Sequence, residues 1–323
     1  MNKDFQFIRI TELAAISSYP IIGSHNKNLI DEYAVKKMRK LLNDTDAKIY
    51  VKVGEGTLDE APMLYVDEVL GKKNSKYKFD IVVDPIEGTS NAAKNSGPSG
   101  CVIAISRWNK IKALPDMYME KFFCKQMFAK SISLKKTLEQ NVIGMQKIKQ
   151  NLKCLILNKP RHKFAIEILK KMNVDVKTID DGDILAAILV VSKDYDFIYG
   201  IGGAPEGSAM AALAISTFCH FEGRLYPYEK IWGKDEHSAR ESIIMNEKKL
   251  NYKKIYKSDD LIKDKKVRFI TTFLTDLEHL KGIKKINDNY EVNTFFASHG
   301  VYRKIDSFYN TETIKQLKPN LFN

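Results

Sequence analysis

Acidic residues collect where short apolar runs of this chain end. Glu55 stands between Gly54 and Gly56, directly after the alternating run KIYVKV (48–53), and Asp59 and Glu60 follow within the next turn. Flanking glycines let the backbone turn sharply and hold a carboxylate beyond a strand end. Asp84-Pro85-Ile86-Glu87-Gly88-Thr89 follows the apolar run Phe79 to Val83 and sets two carboxylates three residues apart, with a hydroxyl two residues further on. Proline stiffens the exit from the strand, and glycine allows close backbone approach to a ligand. Oxygen-only donor sets suit hard divalent cations, Mg²⁺ or Mn²⁺. Two such ions about 4 Å apart clamp the attacking and departing oxygens of a phosphoryl group, and Thr89 is placed to orient a water there. Alone, each motif reads as solvated acids in a turn; two together, both after strands, favour a site.

A second constellation is basic. Asn158-Lys159-Pro160-Arg161-His162 follows a strand-like run, so Lys159 and Arg161 project from a strand-to-helix junction. Arginine offers phosphate a planar fork and lysine a point charge; the alternative is a solvated basic loop. Asp181-Gly182-Asp183 suits either sugar hydroxyls or the capping of a helix. Gly200 to Gly207 (GIGGAPEG) leads into a helix, and its amides form a candidate phosphate cradle in which Glu206 is an odd residue for a purely structural turn. His162 adjoins the basic turn and is expected at the surface. The six histidines show no metal-ligand spacing, and no Ser-His-Asp or Cys-His arrangement can be argued.

The elements that must position these groups alternate. Residues 5–18 and 31–43 read as helices, and 48–53, 79–83 and 101–106 as strands. From residue 151 onward, strands at 154–157, 174–179 and 195–201 alternate with helices at 163–172, 183–191 and 208–218, which argues for an α/β fold. Residues 228–266 are Lys-rich with helical patches, 267–274 and 292–297 return to strand-like runs, and the polar tail from Thr311 is expected to be loosely held. At 323 residues the chain suggests two domains. The division expected is 1–150, carrying the metal site, and 151–267, carrying substrate contacts, with 268–323 returning to the first.

Composition excludes more than it selects. With 44% hydrophobic and 28% charged residues the chain is an ordinary folded protein, neither disordered nor collagen-like. A net charge of +12 raises nucleic acid or an anionic membrane as partners, but the basic residues are scattered and no nucleic-acid module is visible. Asp4 and Glu12 interrupt any secretory signal, and the apolar run Ile184 to Val191 is far short of the ~20 residues a membrane helix needs. Cys101, Cys124, Cys154 and Cys219 are widely spaced without a CxxC pair, as expected for reduced thiols in a cytoplasmic protein.

Taken in order, VGEGTLDEAPMLY (53–65), DPIEGT (84–89), PDMYMEK (115–121), NKPRH (158–162), DGD (181–183) and GIGGAPEG (200–207) resemble the class II fructose-1,6-bisphosphatase family, also called the sedoheptulose/fructose bisphosphatase type. RITELAA (9–15) and GSHNKNLIDEYAV (23–35) add weaker support. The resemblance implies the layered α/β/α/β/α fold of the lithium-sensitive sugar phosphatases, with two mixed-sheet domains. It also implies hydrolysis of the 1-phosphate of fructose 1,6-bisphosphate in gluconeogenesis, with two or more Mn²⁺ or Mg²⁺ ions. Carried over motif by motif, the metal ligands are Asp31, Glu55, Asp84, Glu87 and Glu206, and the catalytic residues are Thr89, Asp59 and Glu87. Substrate contacts come from Lys27, Glu87, Gly88, Thr89, Tyr118, Lys159, Pro160, Arg161, Asp181, Gly182, Asp183 and Gly203. The expected partner is a small sugar bisphosphate, with no nucleic acid or membrane, in a homo-oligomer (dimer or tetramer). The alternatives are a related sugar or inositol phosphate substrate, or a degenerate member with a binding role. Departures from the family pattern fall at SNAAKNSGPSG (90–100), at Asn26, around 124–135 and at TTFLTDL (271–277).

Overall fold

Phe7, Ile10, Leu13 and Ala14 share one side of the first helix, α1 (Lys3–Ser18), and that side is buried. In the computed structural model residues 3–54, 64–192 and 194–316 are described. The second helix, α2 (Lys27–Asn43), begins where the Asn26 side chain accepts a hydrogen bond from the Leu29 amide at 3.1 Å, an N-cap that satisfies one orphan donor. β1 (Lys48–Val53) alternates half-buried and buried residues as its sequence does. β2 (Val69–Gly71), β3 (Lys78–Glu87), α3 (Thr89–Lys94) and β4 (Gly100–Arg107) follow.

The chain then builds β5 (Tyr118–Cys124), α4 (Leu138–Gln146), β6 (Lys153–Leu157), α5 (Lys163–Lys171), β7 (Asp175–Ile179) and α6 (Asp183–Val191). It continues through β8 (Phe197–Gly203), α7 (Ala204–Thr217), β9 (His220–Leu225), α8 (Glu229–Trp232), α9 (Glu236–Glu247), β10 (Ile255–Lys257) and α10 (Ser258–Leu261). The last elements are β11 (Arg268–Phe273), β12 (Lys284–Ile286), β13 (Asn289–Ser298), β14 (Val301–Asn310) and α11 (Thr311–Gln316).

These elements form two units, Met1–Ala113 with Asp264–Asn323, and Leu114–Lys263. The first holds an eight-stranded sheet of order β12-β13-β11-β4-β3-β1-β2, with β14 on β13. It is mixed, because β1 and β3 run parallel while β3 and β4 run antiparallel. The second holds a six-stranded sheet, β10-β9-β5-β8-β6-β7, parallel through β7, β6 and β8 and antiparallel beyond. The fold is therefore α/β with a mixed sheet in each unit.

The division differs from the boundaries expected at 150 and 267. β5 pairs along its whole length with β8 and nearly so with β9, which draws residues 114–150 into the second unit. Asp264 belongs to the first because its buried carboxylate accepts from the Arg107 amide at 2.8 Å and the Arg107 Nε at 3.1 Å. All four cysteines are free thiols, and burial pushes each of them up in pKa. Among the described residues no helix is long and apolar enough to cross a membrane.

Candidate functional site

In the first unit the end of β3 is irregular. Asp84 pairs with Val102 of β4 and Glu87 with Gly100, so the register shifts between the two acids. Such a bulge re-aims side chains at a strand end. Glu87 is buried and Asp84 half-buried. Gly88 takes φ +76°, and a Cβ there would lie 2.5 Å from the Pro98 carbonyl oxygen, so only glycine fits. Thr89 opens α3 and donates its hydroxyl proton to the Ile86 carbonyl at 2.7 Å. With that proton committed, the hydroxyl meets an incoming water as an acceptor. Asp31 of α2 and Asp84 of β3 both add, after burial, to the upward shift of the Cys101 thiol, so the two carboxylates share one neighbourhood. Lys27 is the exposed first residue of α2. Glu55 and Asp59 lie outside the described residues. Among the described residues no group of three His, Cys, Asp or Glu side chains is gathered as a metal cluster.

The second unit gathers its charges more tightly. Asp183 opens α6 and its Oδ2 lies 2.5 Å from Lys121 Nζ, both side chains being buried. Lys121 Nζ also donates to the Gly203 carbonyl at 3.0 Å. A Cβ at Gly202 would come within 2.8 Å of both the Lys121 and the Asp183 charged atoms, and one at Gly203 would overlap the Glu206 carboxylate. Gly202 and Gly203 of GIGGAPEG thus make room for these three side chains, while Gly200 backs onto the His162 ring and Gly207 onto Met119. Glu206 stands in the first turn of α7, where the helix dipole favours an acid. Its Oε2 is buried without a hydrogen-bond partner among the described residues. Burial raises the Glu206 pKa, the Lys121 charge opposes that rise, and Asp183 and Asp116 add to it.

The basic turn is anchored to the same sheet. Arg161 Nε donates to the Ile201 carbonyl at 2.8 Å, and its guanidinium carbon sits 5.4 Å from the centre of the Tyr118 ring. Lys159 is half-buried and Pro160 exposed, at the head of a short 3-10 turn. Asp181 is half-buried and accepts from the Gly182 amide at 3.1 Å. Gly182, in the left-handed region at φ +89°, is itself the N-cap of α6, and Asp183 stands in the helix's first turn.

His162 departs from the surface position expected for it. It is 1% exposed, its Nδ1 bonds to the Leu157 carbonyl at 2.8 Å, and its Nε2 accepts from the Ile201 amide at 2.7 Å. Burial lowers its pKa to about 4, so the ring is neutral and welds the basic turn to β8. Lys121 was not singled out in the sequence, although it lies in PDMYMEK. Its neighbour Glu120 makes the pair read as solvent-facing, so the sequence carries no signal for its burial.

Known proteins place these observations in a family. The family model described as bacterial fructose-1,6-bisphosphatase, glpX-encoded, matches residues 1–309. A "Fructose-1,6-bisphosphatase class 2" from Haemophilus influenzae is 32% identical over 326 residues, covering 97% of each chain. A "Fructose-1,6-bisphosphatase 1 class 2" from Escherichia coli is 34% identical over 290 residues, 87% of this chain and 86% of that one. A "D-fructose 1,6-bisphosphatase class 2/sedoheptulose 1,7-bisphosphatase" from Trichodesmium erythraeum is 30% identical over 307 residues, 86% and 87% of the two chains.

Proposed function

The chain belongs to the family of bacterial, glpX-encoded fructose-1,6-bisphosphatases, and on that footing we propose that it hydrolyses the 1-phosphate of fructose 1,6-bisphosphate to fructose 6-phosphate and phosphate, as a metal-dependent phosphoric monoester hydrolase of gluconeogenesis. The family match over residues 1–309 carries the substrate. On the side of geometry, the observation that speaks for phosphate chemistry with a metal is the buried Oε2 of Glu206, which has no hydrogen-bond partner among the described residues. A buried carboxylate oxygen without a donor is costly unless a cation or a proton meets it, so the donor set fits a hard divalent cation.

Two or more Mn²⁺ or Mg²⁺ ions are proposed, held by Asp31, Glu55, Asp84, Glu87 and Glu206. When bound, such ions supply positive charge that offsets the charge developing on the phosphoryl oxygens. Thr89, its own proton given to Ile86, accepts a hydrogen bond from the attacking water and so fixes the direction of its remaining lone pair. Asp59 is the proposed partner of Thr89 in activating the water: Thr89 orients it, and the Asp59 carboxylate takes the proton it loses. Lys159 and Arg161 meet the anionic substrate, and Tyr118 supports Arg161 with its ring. Asp183, held by Lys121, is oriented to accept from sugar hydroxyls, with Asp181, Gly182 and Gly203 beside it in the sequence motifs. Lys27 and Gly88 complete the proposed contacts. The same reading makes the protein a cytoplasmic homo-oligomer.

The test is phosphate release from fructose 1,6-bisphosphate with Mn²⁺, Mg²⁺ or a chelator present. Turnover should require one of the ions, and Asp84→Ala and Glu206→Ala should each abolish it. Full activity in both variants would overturn the site. The double name of the Trichodesmium relative supports sedoheptulose 1,7-bisphosphate as a second substrate, to be assayed side by side.

A further inference from the structure

Tyr118 opens β5 and Trp232 closes α8, far apart in sequence, yet the Trp232 indole Nε1–H donates to the Tyr118 hydroxyl oxygen at 3.0 Å. The same short segment makes a second contact with Tyr118. The ring of Tyr228, the residue before α8, lies 6.2 Å from the Tyr118 ring. Tyr228 is itself pinned, its amide donating to Glu241 at 2.8 Å and its hydroxyl to Asp235 at 3.2 Å. Tyr118 thus has its hydroxyl oxygen engaged by Trp232 and its ring engaged by Arg161 and Tyr228.

Two features separate this contact from ordinary packing. A tryptophan that served only to fasten α8 would be expected to bury its ring, the source of its packing energy, but Trp232 is 60% exposed. Its only polar atom is nevertheless committed, and committed to a phenol. A hydroxyl carries one donor and two acceptor lone pairs. When Trp232 fills one lone pair, the phenol proton stays available for an outside acceptor and is made a stronger donor by the bond it has accepted.

We propose that Trp232 is a positioning residue for the sugar phosphate: it fixes the Tyr118 hydroxyl so that the phenol proton is presented, beside the Arg161 guanidinium, to an oxygen of a phosphate group. This rests on the reading of Tyr118 and Arg161 as substrate contacts. Phenol and guanidinium together form a donor pair suited to an anionic oxygen, and the exposed indole face is left to line the path of the bound sugar.

Kinetics and fluorescence of the full-length enzyme test it. Trp232→Phe keeps a ring and removes the donor. It should raise KM for fructose 1,6-bisphosphate about three- to tenfold, the scale of one hydrogen bond, with kcat within about twofold. Tyr118→Phe should raise KM at least as much, and the double variant should be no worse than Tyr118→Phe alone, because Trp232 acts through Tyr118. Trp108 is the other tryptophan of the chain, so in a Trp108→Phe background the emission reports Trp232 alone. That emission should shift when fructose 6-phosphate is added and should not shift when Tyr118→Phe is also present. An impaired Tyr118→Phe beside an unchanged Trp232→Phe overturns the role of Trp232, as does an emission indifferent to fructose 6-phosphate. An unchanged KM in Tyr118→Phe overturns the placement of Tyr118 against substrate, and the proposal with it. Should Trp232→Phe fail to fold by circular dichroism, the emission of Trp232 decides.

Discussion

Lys121 Nζ lies 2.5 Å from Asp183 Oδ2, and the lysine side chain is only 3% exposed. One ammonium therefore serves three groups, since it also bonds the Gly203 carbonyl and opposes the burial-driven rise of the Glu206 pKa. A buried ion pair is of small net worth against an apolar pair, but removing one partner leaves the other charge uncompensated at about 3–5 kcal/mol. Lys121→Met should lower the stability of the second unit by that order, read as a urea midpoint. It should also cut kcat/KM by well over tenfold, because Asp183 loses its orientation and Glu206 becomes harder to ionise. Lys121→Met with Asp183→Asn should recover most of the stability and none of the activity. Equal losses of stability in the single and double variants would refute the coupling.

His162 gives a pH signature. Its pKa falls from the ordinary 6.5 to about 4 because the ring is buried, against a hydrogen bond to the Leu157 carbonyl that pushes the other way. The unfolded chain therefore binds the extra proton between those two values and the folded chain does not. Stability from this group is fully present above about pH 6.5 and is lost as pH falls toward 4, by about 3 kcal/mol at 1.36 kcal/mol per unit. Urea midpoints measured from pH 7 to pH 4 should fall along this course. In His162→Gln, which has no proton to take up, that part of the decline should vanish. An identical pH course in both proteins would place the histidine in solvent, against its burial.

Much of this arrangement could be read from residue order. The run Phe79 to Val83 foretold a strand, but β3 does not stop at Asp84-Pro85: it continues through the proline to Glu87, and Gly88 then turns the chain into α3. The apolar runs at 183–191 and 208–218 foretold the buried helices α6 and α7, although α7 begins earlier, at Ala204. β5 was illegible for a definite reason. Its Glu120 and Lys121 look like solvent-facing residues, and they are buried only because partners distant in sequence meet them: Arg224 and the Tyr199 hydroxyl for Glu120, Asp183 for Lys121. Missing β5 is what put the expected boundary at 150. β14 hid likewise, since its residues are mostly exposed and no apolar alternation marks them. Family motifs named Glu206, but only the structure shows its oxygen left without a donor among the described residues.

Two departures from the family pattern meet in space. Thr275, in the altered 271–277 stretch, donates its hydroxyl to the Gly97 carbonyl at 2.6 Å and bonds the Ser99 hydroxyl at 2.9 Å, both in the altered 90–100 stretch. The Leu274 amide adds a bond to the Ser99 carbonyl at 2.8 Å. The Pro98 carbonyl between them accepts from Asn91 at 2.9 Å and backs directly onto Gly88. Thr275→Val keeps the shape and removes the hydroxyl, at a cost of about 1–3 kcal/mol for a lost bond and an unpaired acceptor. Amide hydrogen exchange across 90–100 should quicken while exchange in the second unit stays as it was. Unchanged protection of that peptide would mean the loop holds itself.

Gly203 offers a test of Glu206 that leaves the carboxylate in place. A Cβ at 203 would overlap that carboxylate, whose Oε2 is buried. The residue's own backbone lies in the ordinary extended region, at φ −71° and ψ 150°, so alanine brings no backbone strain. Gly203→Ala should therefore displace the Glu206 side chain and little else. The thermal midpoint should hold within a few degrees, since the β8–β5 pairing of Gly203 with Tyr118 is a backbone contact that alanine preserves. Metal dependence should change instead, with half-maximal activity reached only at about tenfold or more higher Mn²⁺ or Mg²⁺, in keeping with the sensitivity of metal sites to the groups that orient their ligands. Glu206→Gln, which keeps the shape and removes the charge, should show the same direction more strongly. A Gly203→Ala enzyme with unaltered metal dependence would show that the carboxylate finds another rotamer without consequence, and Glu206 would then be no ligand.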